Sequence, residues 1–218
     1  MRGDTLVVYS EAKLRLYREV MIMKKIISIL LVSMLLITGC SQKEVRDNFI
    51  KVAPSKLFQG DALSLEPHMD MITGCVDVNY KGSKENIGLS YEIWKDGTLD
   101  TKENILSSSI QDNGFDGEIS ISLKDIINYN LESSELMRMK TVIRTESGYS
   151  ASLKYIGRFD KEYGHSPQDL QTEINATEDE EIIIWGLAAG DVLSSGGEDI
   201  DSAVKKAKWG MIVKLYFE

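Results

Sequence analysis

Alternation of apolar and polar positions, with a period of two residues, is the dominant pattern between residues 57 and 218. The segment from Gly117 to Lys124 shows it most clearly, because Ile119, Ile121 and Leu123 alternate with Glu118, Ser120 and Ser122. Four further segments show it at these apolar positions: Val76, Val78 and Tyr80; Leu89, Tyr91 and Ile93; Tyr149, Ala151, Leu153 and Tyr155; Met211, Val213, Leu215 and Phe217. Because side chains two residues apart share one face of a strand, each segment is predicted to be a β-strand.

Short turn sequences separate the predicted strands. Lys95-Asp96-Gly97 follows one strand and is typical of a tight hairpin, since Asp and Gly tolerate the positive φ angles of such turns. Glu146-Ser147-Gly148 predicts a second hairpin, between the strands Met137 to Thr145 and Tyr149 to Ile156. Hairpins of this kind pair antiparallel strands.

The C-terminal third has a different pattern. Ile182 to Ala189 is a continuous apolar run, which predicts a strand covered on both faces. A helix that can provide the cover follows, with one apolar stripe at positions Ile200, Ala203, Val204 and Ala207. We therefore predict that residues 57–218 form a single, mainly β domain, an antiparallel β-sandwich with one short C-terminal helix.

The N-terminal region contains a different signal. Lys24 and Lys25 precede the run Ile26 to Ile37, which is apolar except for two serines and is too short to cross a bilayer. The sequence Ile37-Thr38-Gly39-Cys40 follows at once. Residues 23–41 therefore resemble the export signal and lipobox of bacterial lipoprotein precursors, in which a basic start and an apolar core precede the modified cysteine. The remainder of the chain resembles no family that we can name.

The resemblance implies that residues 23–39 are a cleaved signal helix, removed by cutting between Gly39 and Cys40. Cys40 would then carry a covalent diacylglyceryl group with acyl chains such as palmitate. No cofactor is expected apart from the calcium ion considered below. Two acyl chains are enough for stable anchoring. The protein would be lipid-anchored at the extracytoplasmic face of the cell membrane, and its first partners would be the export and processing machinery. A short membrane helix that happens to end in Gly-Cys is the alternative interpretation.

Residues 1–22 do not fit an export signal, because they would lengthen it to 39 residues and add three acidic side chains. Our hypothesis is that translation starts at Met23 and that residues 1–22 belong to a mis-assigned start. A real, slightly amphipathic extension is the alternative. Downstream of the signal, residues 40–56 are polar apart from a short apolar interruption, and we predict a lipidated tether.

Composition restricts the functions of the mature chain. The whole sequence has a formal net charge of −9, and removing residues 1–39 leaves 19 basic and 31 acidic residues, a net charge of −12. Nucleic acid is excluded as a partner because it requires a basic footprint. Cys40 and Cys75 are the only cysteines. If Cys40 is lipidated, Cys75 has no cysteine with which to form an internal disulfide, and the chain lacks the cysteine set of a structural zinc site.

The sequence contains a candidate metal site and a candidate binding residue. The loop from Asp112 to Glu118 has the start of a calcium loop, with Asp112 and Asp116 as candidate metal ligands. It lacks the expected glutamate at the twelfth position, so a Gly/Asn-rich turn is favoured and calcium is the alternative. Trp94 is the candidate binding residue, because it lies on the polar side of its strand, opposite Leu89, Tyr91 and Ile93.

We expect a non-catalytic binding module that is held near the membrane and binds an envelope partner of unknown identity, either a protein, a peptide or a polymer. No recognisable catalytic string occurs, so no catalytic residue is assigned. Two alternatives stay open. One is a carboxylate-dependent envelope hydrolase assisted by calcium, and the other is a structural or assembly factor that accepts an added strand.

Overall fold

The structure is a computed structural model that describes residues 48–112, 114–126, 135–191 and 199–218, within a compact unit spanning Arg46–Glu218. Its strands are β1 (Phe49–Pro54), β2 (Ile72–Lys81), β3 (Asn86–Lys95), β4 (Thr98–Ser109), β5 (Gly114–Asp125), β6 (Leu136–Thr145), β7 (Gly148–Gly157), β8 (Gly164–Asp169), β9 (Ile174–Ala176), β10 (Ile182–Gly190) and β11 (Trp209–Phe217). The helix α1 spans Ile200–Lys206, and a 3-10 helix spans Gly60–His68. Neither of these described helices is long and apolar enough to cross a membrane.

The strands form two antiparallel sheets. The six-stranded sheet has the order β7-β6-β5-β2-β1-β9, and the five-stranded sheet has the order β4-β3-β11-β10-β8. Buried side chains from both sheets make one core; for example, the rings of Tyr80 in β2 and Phe217 in β11 are 4.2 Å apart. The prediction of a mainly β, antiparallel sandwich with one short C-terminal helix is confirmed.

The predicted alternation matches the core in four of the five segments. The apolar positions of β2, β3, β5 and β11 are all buried. In β7 the apolar side chains share one face, as predicted, but that face is exposed to solvent. The hairpin at Asp96 and Gly97 is also confirmed, and both residues have positive φ angles of 46° and 76°, which a tight hairpin turn requires.

The C-terminal helix covers the outer face of the five-stranded sheet. Asp199 caps it by accepting a hydrogen bond from the Ser202 backbone N–H (2.9 Å). Val204 is fully buried and packs directly against two strand glycines, Gly186 and Gly210. Glycine is required at both positions because a Cβ there would collide with the Val204 side chain. Both faces of β10 are therefore covered, as the continuous apolar run predicted.

One predicted boundary is wrong. Residues 40–56 were expected to form a tether, but Phe49–Pro54 is the strand β1, paired with β2 on one side and β9 on the other. Ile50 and Val52 are fully buried. Two buried apolar side chains are enough to hold this otherwise polar segment as a strand, because β2 and β9 pair with both of its edges. The signal residues 23–39, the lipobox, Cys40 and residues 1–22 lie outside the described residues.

Candidate binding surface

The tryptophans do not form an exposed platform. Trp185 and Trp209 are buried in the core. Trp94 is half-buried, because the Lys205 Nζ of α1 lies 4.4 Å from its ring centroid and its indole N–H donates to Glu92 (3.1 Å). A ligand that stacks on Trp94 would have to displace Lys205. The role of Trp94 in binding therefore stays a prediction, and its visible role is to hold α1.

The candidate calcium ligands are exposed. Asp112 lies in the turn before β5 with a φ angle of 55°, and Asp116 lies in β5 opposite Asn79. Asp116 lines a cavity of about 790 Å³ together with Asp77 and Glu118. Among the described residues, no three His, Cys, Asp or Glu side chains are close enough together to hold a metal ion. Calcium binding by Asp112 and Asp116 therefore stays a prediction.

Glu178 joins two connections of the sandwich. Its Oε2 accepts hydrogen bonds from the Tyr80 hydroxyl (2.7 Å) and the Ser83 backbone N–H (3.0 Å), and its Oε1 accepts one from the Ser83 hydroxyl (2.8 Å). The Tyr80 bond, which outweighs the cost of burial, lowers the pKa of Glu178 below its usual range. Burial and the same carboxylate raise the pKa of Tyr80 to about 12. This group therefore ties the residues before β10 to the β2–β3 turn.

A second buried carboxylate, Glu92, lies on the outer face of the five-stranded sheet. Burial opposes its ionisation, but the Lys214 ammonium at 2.7 Å outweighs that cost and lowers the pKa of Glu92. Lys102 and Glu181 complete the network, with Lys102 Nζ 3.3 Å from Glu181 Oε1. Every charge in the network has a partner of opposite sign, so the arrangement fits a structural role.

The remaining shifted groups also have structural partners. Burial raises the pKa of Asp169, which accepts a hydrogen bond from the Trp185 indole N–H (3.1 Å). Burial, reinforced by the charge of Glu118, raises the pKa of the Cys75 thiol to about 12. A thiol in this state is a poor nucleophile at neutral pH.

The most unusual surface lies on β7. Tyr149, Ala151, Leu153 and Tyr155, together called the β7 column, all point outward and are exposed. Exposed fractions are 74% for Tyr149, 53% for Leu153 and 60% for Tyr155. The opposite face is partly polar: Lys154 pairs with Glu103 (2.9 Å), and Ser150 contacts Ser108 (3.3 Å). The strand thus turns its apolar side to solvent and a lysine and serines toward the other sheet.

The β7 column also lies on a sheet edge. No described strand pairs with the outer side of β7, which is ten residues long. The other edges carry features that discourage pairing: β4 carries charged residues, β8 contains Pro167, and β9 has only three residues. A long edge strand with exposed aromatic side chains is the kind of surface that proteins usually avoid unless it binds something.

A cleft lies beside the column on the same face of the six-stranded sheet. Arg138 of β6 is directly opposite Tyr155, and Lys140 is directly opposite Leu153. On their other side, β5 and the segment 55–71, called the strap, enclose a cleft of about 340 Å³. Its cationic side chains are Lys124, Arg138 and Lys140, and its apolar wall consists of Leu57, Phe58 and Met71. These six side chains define the cationic cleft.

The cations of the cleft differ in their partners. Lys124 Nζ donates to the Met69 carbonyl oxygen in the strap (2.9 Å). Arg138 and Lys140 are exposed, and neither has an ion pair with any residue that the structure describes. Further along β6, Arg144 pairs with Glu118 (3.3 Å). The cleft therefore presents two exposed positive charges, without an ion-pair partner in the part of the chain that the structure describes, next to apolar side chains.

Sequence reasoning missed both parts of this surface. The alternation in β7 indicated a shared face but not that the face is exposed. The cations of β6 alternate with Met137, Met139 and Ile143, and this pattern was visible in the sequence. No family model, no curated protein and no solved structure matches the chain significantly.

Proposed function

We propose that this protein is a lipid-anchored extracytoplasmic lipoprotein whose β-sandwich is a non-catalytic binding module. Its binding surface is the β7 column, and its partner is a component of the cell envelope. The anchor would hold the module close to the membrane, while the β7 column contacts the partner. The observation that supports binding is the exposure of Tyr149, Leu153 and Tyr155 on a sheet edge that no described strand covers.

The area of the β7 column is of the size expected for a binding site. A tyrosine side chain has about 150–250 Å² of surface, so the exposed parts of the column amount to roughly 300–400 Å². The largest apolar patch on a typical monomer is about 300–600 Å² and is often functional. An exposed column also brings no folding benefit, because its surface stays in contact with water.

The anchoring half of the proposal depends on Cys40. Replacing Cys40 by serine removes the thiol that would accept the diacylglyceryl group. We expect the Cys40→Ser protein to accumulate uncleaved or to leave the membrane fraction, whereas the natural protein fractionates with membranes and has a lipidated mature mass. Unchanged fractionation and mass would contradict the anchor and would leave the binding half intact.

The binding half is tested by photo-crosslinking in living cells. A benzophenone amino acid replaces Ala151, at the centre of the β7 column, and a control protein carries it at Lys81, which is exposed at one end of β2. We expect a discrete crosslinked product from position 151 and none from position 81. The product should disappear when Tyr149 and Tyr155 are replaced by serine. Equal crosslinking from both positions would refute a specific surface.

Strand addition is the second candidate, and the free side of β7 supports it. A partner strand placed there would satisfy backbone N–H and C=O groups along ten residues. This candidate differs from side-chain binding in one measurable way. Thr145 and Gly148 face each other across a two-residue turn and form a hydrogen-bonded pair, so the alternation of pairs directs the Ser152 N–H toward β6 and the Ala151 N–H toward the free side of β7. Replacing Ala151 by proline removes that outward donor, and strand addition should fail. A variant with Thr101 replaced by proline, on the edge strand β4, is the control.

The hydrolase alternative uses the cavity lined by Asp77, Asp116 and Glu118, which also reaches Tyr149 at one end of the β7 column. Its test is an Asp116→Asn variant assayed against envelope polymers with and without calcium. Loss of a hydrolytic activity in that variant alone would favour the hydrolase. The three carboxylates are not members of the β7 column, so the Asp116→Asn assay and the crosslinking at position 151 test different side chains.

A further inference from the structure

We propose that the β7 column and the cationic cleft together bind an extended segment of another protein in which acidic and apolar side chains alternate. This inference rests on the proposed binding function and identifies the chemistry of the partner. The residues that carry it are Arg138, Lys140 and the column residues directly opposite them, Leu153 and Tyr155.

Charge identifies the first property of the partner. The chain as a whole is acidic, with a formal net charge of −9, yet the cleft gathers Lys124, Arg138 and Lys140. Arg138 and Lys140 are exposed, so a ligand can approach both charges, and neither has an ion pair with a described residue. An anionic partner therefore finds a local positive site on a protein that otherwise repels it.

Spacing identifies the second property. Arg138 and Lys140 are two residues apart on β6 and point to the same face, so their Cα atoms are about 7 Å apart. Alternate side chains of an extended peptide have the same separation. A segment that lies in the cleft along β6 can therefore place one carboxylate at each cation, and its intervening side chains point the opposite way, toward Leu57, Phe58 and Met71 of the strap.

Apolar side chains border the cations on both sides. Leu57, Phe58 and Met71 of the strap lie on one side, and Leu153 and Tyr155 of β7 lie on the other. Insertion into a bilayer requires apolar side chains that project beyond the charged ones. Here the cations line a cleft between two apolar borders. A narrow chain with apolar side chains fits this shape better than a flat layer of headgroups.

The experiment is a selection from a random dodecapeptide phage library on the purified protein with its natural N-terminus in mild detergent. Twelve extended residues span about 40 Å, slightly more than β7. We expect the enriched peptides to carry acidic residues at alternate positions with apolar residues between them. A synthetic copy of an enriched peptide should bind the R138E/K140E variant at least tenfold more weakly than the natural protein.

A matched variant controls for net charge. K81E/K95E introduces the same change in charge at exposed positions outside the β7 column and the cationic cleft. We expect the affinity of this variant for the peptide to change less than twofold. Unfolding midpoints of both variants show whether they fold normally. The inference is overturned if enriched peptides lack an acidic excess, or if R138E/K140E binds them normally.

Vesicles of phosphatidylglycerol and inorganic polyphosphate are the competing probes. Binding of either one that is lost in R138E/K140E, together with no acidic peptide enrichment, would assign the surface to a lipid or a polymer and would refute a peptide partner. These outcomes are distinct from failure of the proposed function. A crosslink at Ala151 with no acidic selection refutes the partner chemistry alone, whereas the absence of any crosslink refutes the binding surface.

Discussion

Replacing Tyr149 by serine tests whether the β7 column serves binding or folding. Tyr149 is 74% exposed, so only about a quarter of its surface is already covered. That quarter is roughly 50 Å², which at about 25 cal/mol per Å² contributes about 1 kcal/mol to stability at most. Urea unfolding followed by tryptophan fluorescence should therefore show a free energy of unfolding within about 1 kcal/mol of the natural protein.

Binding should respond more strongly than stability. A partner that covers the rest of the Tyr149 side chain removes roughly 150 Å² from water, a gross gain of about 3–4 kcal/mol. Ordering of side chains and imperfect pairing offset part of this gain. We expect the Tyr149→Ser variant to bind about 10- to 100-fold more weakly, measured as the loss of crosslink yield at Ala151 over a titration of expression levels.

Ile156 provides the matched control on the same strand. It is 3% exposed and faces the core, so an Ile156→Ala variant should lose about 2–5 kcal/mol of stability. If Tyr149→Ser destabilised the protein as much as Ile156→Ala, the column would be supporting the fold. The exposed face would then be no sign of a binding site, and the proposed surface would lose its main support.

Three further predictions concern the fold. Glu178→Gln should lower the free energy of unfolding by about 1–3 kcal/mol at pH 7, because a charged acceptor for three hydrogen bonds is lost. Since the pKa of Glu178 is lowered in the folded protein, the stabilisation by its carboxylate is present above the ordinary pKa of 4.5 and is lost as the pH falls below 4.5. Urea unfolding should therefore show a smaller difference between the variant and the natural protein at pH 3.5 than at pH 7. Gly74→Ala should cost about 1–3 kcal/mol because the added Cβ collides with the Trp185 ring, and a Gly157→Ala variant, with nothing near its Cβ, is the control for thermal unfolding. Cys75 should resist iodoacetamide at pH 8 until the protein is unfolded, since its thiol pKa is about 12; rapid labelling of the folded protein, read by mass spectrometry, would show that the thiol is accessible and ionised.

Much of the fold could be predicted because its central strands have one buried face each. Ile119, Ile121 and Leu123 alternate with polar residues, and the structure buries all three. The continuous run of β10 likewise indicated cover on both faces, which α1 supplies in part. In these elements the side chains themselves determine which conformation buries the most apolar surface.

Other elements depend on their neighbours rather than on their own pattern. Most residues of β4, Thr98–Ser109, are polar, and it is a strand because β3 provides a hydrogen-bonding partner along its length. β1 was assigned to a tether for the same reason, since only Ile50 and Val52 indicate burial. Local sequence contains little information about pairing with a strand that is distant along the chain.

The candidate surface could be predicted only in part. Alternation showed that Tyr149, Leu153 and Tyr155 share a face, but whether that face meets the core depends on how β7 packs against β4. The cleft was also hidden, because Leu57 and Phe58 reach Arg138 and Lys140 only after the strap crosses the sheet. A residue-by-residue pattern cannot report contacts between segments eighty positions apart.

The two-residue connection Glu146-Ser147 has a consequence for how this surface could appear or vanish during evolution. It pairs Thr145 with Gly148, and this pair sets the register of all the other residue pairs between β6 and β7. Inserting one amino acid there could slide β7 by a single position, which would direct Tyr149, Leu153 and Tyr155 inward and Lys154 outward. A change of one codon in a loop, without touching any contact residue, would then switch the recognition face off.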